Sequence, residues 1–295
     1  MGRRPLKQTL SAKAVEILSS LAFHRVLSTR QVYGVHSRGA ELRWVQKLLG
    51  RLRQDGLADY VVSAHGRRRL WFATERGARL AREAGTLEGR SPLGAELAAG
   101  PLADHTLAVN EAAICFLAAA TERGDDFGPL AWRHEVFHPI SRGRGRRRRL
   151  LVADAVFTYL RDVGEGIAIE QRFLEVDRAT LSVDRLAAEL ARYAELYRAK
   201  EAKATEPLWR ASYPVFPKVH CVLTGAPRRA LARRRSTASV LLASDPLLSR
   251  TPEVGISICL LEDLRRDGPF AQVFRDVRDP GRPVDWLGNP AEGSG

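Results

Sequence analysis

A chain of 295 residues with a hydrophobic fraction of 45% is long enough for one large or two ordinary domains, each with its own core. It shows no long apolar run and no signal segment of charged start, apolar centre and small-residue cleavage site. The expectation is therefore a soluble cytoplasmic protein with no membrane span. The net charge is +13, and residues 1–80 carry +11 of it, with 16 Lys+Arg against 5 Asp+Glu, whereas the other 215 residues carry only +2. Such asymmetry is the footprint of a nucleic-acid-binding N-terminal domain, and no basic amphipathic helix with exposed aromatics supports a membrane-surface role.

In chain order, Ala14, Ile17, Leu18, Leu21 and Ala22 recur at helical spacing and predict a first helix. Ser28 with Gln31 three residues on forms a capping box for a short helix over 29–35. A turn containing Gly39 leads to a third helix over 40–54, with Leu42, Val45, Leu48, Leu49 and Leu52 inward and Arg43, Trp44, Gln46, Lys47, Arg51 and Arg53 outward. Asp55-Gly56 stops it. Residues 57–62 and 70–73 read as strands joined by a turn that holds Arg67, Arg68 and Arg69. Three helices and a basic hairpin are the layout of a winged helix-turn-helix. Arg43, Gln46 and Lys47 are the base-edge candidates, Arg51 joins them on the same outer surface, and Arg67, Arg68 and Arg69 are backbone clamps.

The domain is expected to cover 1–85, with a helix over 74–84 and a Gly/Ser/Pro-containing linker over 86–103. Residues 104–122 predict a strong helix carrying Glu111. Strands are expected over 131–138, 150–159, 166–176, 219–224 and 254–261, with helices over 182–200 and 227–242. The domain over 104–278 is thus α/β (α+β), a mixed sheet flanked by helices. The Pro- and Gly-rich segment 279–295 is expected to be a flexible tail. Cys115, Cys221 and Cys259 lie far apart in apolar surroundings and read as buried thiols.

His134-Glu135-Val136-Phe137-His138 matches the zinc-protease pattern H-E-x-x-H, which needs a helix to bring both histidines to one metal. Val136 and Phe137 favour a strand, and Pro139 follows at once. In a strand the two histidines share a face about 13 Å apart, too far for one zinc. A zinc protease fused to a DNA-binding domain is a distant alternative.

Six arginines, among them Arg144, Arg146, Arg147 and Arg148, precede the strand that carries Asp154. Glu175 and Asp177 follow on the next strand, pointing to one face. Three carboxylates near strand ends, approached through a basic loop, suit a divalent metal held against a phosphate. The bland alternative is that Asp177 caps a turn and Glu175 pairs with an arginine. The chain lacks a P-loop, a relaxase tyrosine arrangement and coiled-coil heptads.

The His105–Glu111 segment, Ala153-Asp154-Ala155, the Phe173–Thr180 segment FLEVDRAT and Leu190-Ala191-Arg192-Tyr193 resemble the actinobacterial replication-relaxation family over about 14–225. That resemblance implies plasmid or mobile-element replication, mobilisation or DNA relaxation, and a second domain similar to the PD-(D/E)XK nuclease fold. It also implies double-stranded DNA, and replication or conjugation proteins, as partners. Asp154 would be the first acid and a metal ligand, Glu175 the middle acid and second ligand, and Glu111 a helix-borne acid. Mg or Mn would serve if the site cuts. Two departures weigh against cutting: Ala153 stands where Pro is usual, and Asp177 occupies the lysine position. The leading expectation is a DNA-binding accessory protein. The alternative is a metal-dependent endonuclease or nickase using Asp154, Glu175 and Asp177. A two-fold DNA site would imply a homodimer.

Overall fold

A computed structural model describes residues 10–36, 39, 41–63, 68–85, 98, 100–140, 149–201 and 205–291. The chain divides into two compact units, 1–114 and 115–295.

In the first unit, Ser11 caps α1 (Ala12–Phe23) by accepting from Ala14 N. The Ile17, Leu18 and Leu21 side chains are fully buried, each worth about 1.5–3 kcal/mol relative to exposure. The two-residue strand β1 (Leu27–Ser28) leads into α2 (Thr29–His36). There the predicted capping box is formed reciprocally: Gln31 N donates to Ser28 Oγ (3.2 Å) and Ser28 N to Gln31 Oε1 (3.1 Å). Helix α3 (Leu42–Gln54) buries Val45, Leu49 and Leu52 and stops at Asp55-Gly56, where Gly56 takes φ 67°. Strands β2 (Ala58–Val62) and β3 (Arg69–Ala73) pair antiparallel, with β1 on the far edge in the order β1-β3-β2. Helix α4 (Glu75–Glu83) closes against α1. A Cβ at Gly77 would meet Leu57 O at 1.9 Å, so only glycine permits this approach of α4 to the chain before β2. The arrangement is a winged helix-turn-helix.

Helix α5 (Pro101–Arg123) changes the expected boundary. Its first half belongs to the first unit: Ala103 and Leu107 pack with Val26, Leu70 and Phe72 on the second face of the wing. Asn110 Nδ2 donates to Val26 O (3.0 Å) and Gln31 Nε2 to Leu107 O (2.7 Å). The division falls inside the helix at 114/115 rather than in 86–103, because Ala103 and Leu107 of α5 cover apolar side chains of the wing. Most of 86–103 lies outside the described residues. By length and composition, Leu102–Arg123 would be able to cross a membrane, yet its apolar side chains are largely engaged within the protein.

The second unit is built on a seven-stranded sheet of order β10-β9-β8-β7-β6-β5-β4. Strands β4 (Trp132–Pro139), β5 (Leu150–Asp162) and β6 (Ile167–Asp177) run antiparallel. Strands β6, β7 (Lys218–Leu223) and β8 (Ile256–Leu260) are parallel. They are joined through α6 (Val183–Arg198) and α7 (Arg228–Ala243), as parallel neighbours require a crossover. Short elements complete the unit: α8 (Pro246–Ser249), α9 (Leu261–Asp267), β9 (Phe274–Asp276) and β10 (Pro283–Val284). One face of the sheet packs on α6 and α7 through Phe173, Leu190, Tyr193 and Leu231. On the other face Phe116, Phe127, Phe157, Tyr159 and Trp286 form an aromatic core.

The structure departs from expectation in two places here. Within the segment expected to trail as a flexible tail, Pro283–Val284 are built into the sheet as β10, paired with β9, and Trp286 is fully buried, while 292–295 lie outside the described residues. Asp285 Oδ1 accepts from the backbone N–H of Leu287, Gly288 and Asn289. The burial of one indole there outweighs the Pro/Gly composition that suggested a loose end. Midway along β4, Glu135 adopts φ 47°, and Glu135 and Asp154 are skipped in an otherwise unbroken β4–β5 register. The strand pair turns over there. Phe157 lies in the aromatic core, whereas Leu151 and Ala153, of the same parity, lie in the core beneath α6 and α7.

Candidate nucleic-acid interface and acidic centre

Along α3 Val45, Leu49 and Leu52 face inward, whereas Leu42, expected inward, is exposed at the first turn; Arg43, Gln46, Lys47 and Arg51 are exposed, together with Trp44. None of these polar side chains makes a hydrogen bond or ion pair with the described residues. Arg68 and Arg69, at the start of β3, are likewise exposed. Arg67, and Arg144, Arg146, Arg147 and Arg148 of the β4–β5 connection, lie outside the described residues. Arg149, the last of that basic run, pairs with Glu195 (2.8 Å).

Beside the C-terminal end of α3 lies a group that the sequence reading missed. Tyr60 on β2 faces Trp71 on β3, with ring centroids 4.9 Å apart. The guanidinium carbons of Arg53 and Arg69 lie 4.6 and 4.8 Å from the Tyr60 centroid. Asp59 Oδ1 accepts from Arg53 Nε (2.7 Å) and from Tyr60 N (2.8 Å). A cleft of about 540 Å³ opens here, lined by Arg53, Gln54, Tyr60, Arg69 and Trp71 among others. The signal that would have found it is an aromatic residue in the alternating strand, on the same face as a basic residue of its hairpin partner.

The acids of the second unit behave differently. Asp154 and Glu175 stand on adjacent strands, one step beyond the paired Ala155 and Leu174. Val176 N donates to Asp154 Oδ2 (2.8 Å), and the Tyr193 hydroxyl on α6 donates to Glu175 Oε1. Burial pushes the Glu175 carboxyl well above the usual range. The adjacent Asp154 carboxylate, to which it is hydrogen-bonded, adds to the shift, and the Tyr193 bond opposes it. Burial and Glu175 push the Tyr193 phenol well up in turn. The arrangement is a buried pair of carboxyl groups in which ionisation of Glu175 is disfavoured. Asp177 shares the Glu175 face, as predicted, but is clamped by Arg234 of α7, with Nε donating to Oδ2 (2.5 Å) and Nη2 to Oδ1 (3.1 Å). The two side chains are only 10% and 13% exposed.

Glu111 lies in the first unit, where it accepts from Gln31 Nε2 (3.3 Å). Arg192 donates to Leu150 O and Lys200 to Thr205 O. Among the described residues, no group of three or more His, Cys, Asp or Glu side chains is placed to hold a metal ion. One oxygen of each carboxyl is engaged by the protein itself, Asp154 by Val176 N and Glu175 by the Tyr193 hydroxyl, so the pair is a poor fit for a Mg or Mn ion, which takes about six oxygen ligands. Nor do the two histidines share a face, as simple alternation predicts. Trp132 stacks on Phe127 in the aromatic core, and His134, two residues on, shares its face before the strand turns over at Glu135. Beyond that point His138 sits in the opposite core against Phe173, bonded to the Tyr213 hydroxyl (2.7 Å) and held near pKa 4 chiefly by burial.

A family model described as replication-relaxation matches residues 18–208. No curated protein matches the chain. Among solved structures, two mutants of Lactococcus lactis ZitR are 21% and 20% identical, with TM-scores of 0.25 and 0.24, and each comparison covers 41% of this chain and 80% of that one. A Vibrio cholerae protein, VC1899, is 12% identical with a TM-score of 0.30, covering 88% of this chain and 55% of its own.

Proposed function

Because the chain belongs to the replication-relaxation family, we propose that it is a cytoplasmic DNA-binding accessory of plasmid or mobile-element replication, mobilisation or relaxation. The first unit grips double-stranded DNA, with α3 in the major groove and the wing arginines on the backbone. The second unit, similar to the PD-(D/E)XK nuclease fold, contacts DNA or a replication or conjugation protein without cutting. The observation that carries this reading is the contrast in partners. Arg43, Gln46, Lys47 and Arg51 have none among the described residues, while each proposed catalytic acid is engaged by the protein itself. Exposed unpaired cations on one helix face attract phosphates. A carboxyl pair whose oxygens are taken by Val176 N and the Tyr193 hydroxyl offers little of the open coordination that metal-assisted hydrolysis requires.

One observation favours the endonuclease reading: the basic run ending at Arg149 leads directly into β5, four residues before Asp154 is reached. The test is incubation of supercoiled plasmid with the full chain and Mn²⁺, beside Glu175→Ala. Retarded but intact plasmid with both proteins is expected. Nicking by the wild type alone would establish the endonuclease and make Asp154 and Glu175 metal ligands and catalytic residues.

A further inference from the structure

The cleft between α3 and the wing has a restricted chemistry. The Trp71 indole N–H is spent on Thr29 Oγ1 (2.9 Å), and the Thr74 hydroxyl on Gly56 O (2.8 Å). Asp59 Oδ1 is taken twice, by Arg53 and by the Tyr60 backbone. The donors left over are the terminal nitrogens of Arg53, the whole Arg69 guanidinium, the Gln54 amide and the Tyr60 hydroxyl, none of which bonds to the described residues. Two guanidiniums stacked on one tyrosine are held at set positions before any ligand arrives, which lowers the ordering cost of using them. A site with spare cationic donors and one internally bonded acid selects an anion. Arg43, Lys47 and Arg51 form an i, i+4, i+8 stripe along α3, and Gln54, three residues after Arg51, carries that face to the lining of the cleft. A linear polyanion lying along that stripe would therefore continue into the cleft.

We propose that the Arg53–Tyr60–Arg69 cleft is a phosphodiester subsite that takes the DNA backbone between recognition helix and wing, with Tyr60 as the positioning residue for both guanidiniums. This rests on the DNA-binding reading above and adds to it a site that the helix and wing tip alone do not contain. Each guanidinium binds a backbone phosphate, and Tyr60 holds the pair in place.

The test uses the full chain and a mixed-sequence duplex, with affinity measured across a salt series and folding checked by thermal unfolding. Arg53→Ala and Arg69→Ala are each expected to weaken binding several-fold and to lower the slope of log K against log salt by about one. Tyr60→Leu, which keeps both arginines, is expected to weaken binding as well, and Tyr60→Phe to restore it. Unchanged slopes for both arginine variants, with Lys47→Ala still weakening binding, would sink the subsite and leave the DNA reading intact. Failure of the wild type to bind any duplex would sink the DNA reading itself. Loss of the Arg69-dependent share of binding on adding micromolar deoxynucleoside monophosphate would reassign the cleft to a free nucleotide, and so overturn the proposal.

Discussion

On α3, Arg43, Lys47 and Arg51 extend into solvent with no carboxylate bonded to them among the described residues, whereas on the large sheet Asp154, Glu175 and Asp177 each have a donor drawn from elsewhere in the second unit. The first arrangement costs little in the free protein, because exposed guanidinium and ammonium groups keep their water. The second removes charge from water and must compensate internally. Charge left open is available to a ligand, while charge already matched holds the fold.

The largest effect expected is on the matched side. Asp177→Ala leaves the largely buried Arg234 guanidinium without its carboxylate, with only Ser182 O among the described residues to accept from it, and should cost about 3 kcal/mol in urea unfolding. The double change Asp177→Ala with Arg234→Leu should recover much of that. If Asp177→Ala proved silent, the pair would be open to recruitment and the contrast between the two regions would break. Arg43→Ala should do the reverse, costing about 1–3 kcal/mol of affinity for a cognate site while leaving the unfolding curve in place.

The smallest effect concerns Glu175. Its folded-state pKa is raised, so the folded chain binds more protons than the unfolded one. The favourable contribution of the protonated form is complete below the unfolded value near 4.5 and is lost as pH rises toward the folded value. Glu175→Gln should therefore be neutral or destabilising near pH 4 and stabilising, by an amount of order 1 kcal/mol, well above it. A thermal-unfolding difference that does not vary with pH would show that Glu175 does not carry the proton.

Much of the first unit is legible in the sequence because its signals are local. Apolar spacing in α1 and α3, the Ser28/Gln31 box and Asp55-Gly56 each act within a few residues. The two-residue β1 carries too little pattern to be read that way. Strands β4 to β8 and the shared face of Glu175 and Asp177 follow from alternation. Their partners do not, since Tyr193 and Arg234 come from helices 18 and 57 residues further along the chain. The turnover at Glu135 is equally hidden. A positive φ at a non-glycine residue is imposed by two cores meeting on one strand, and no residue type announces it. Trp286 drew the tail into the sheet, because a single buried indole is not a periodic signal.

Helix α5 has a practical corollary for anyone dissecting the chain. A fragment ending at Gly85, where the composition suggests a natural break, would expose Val26, Leu70 and Phe72 and leave the Val26 carbonyl without Asn110. It would also remove the Leu107 carbonyl and the Glu111 carboxylate from Gln31, a side chain that caps α2. Carried through Ile114, the same unit keeps its second hydrophobic layer and the far end of its capping network. The extent of the first unit is thus set by where its last apolar face is covered, some thirty residues past the point at which its recognisable motif ends.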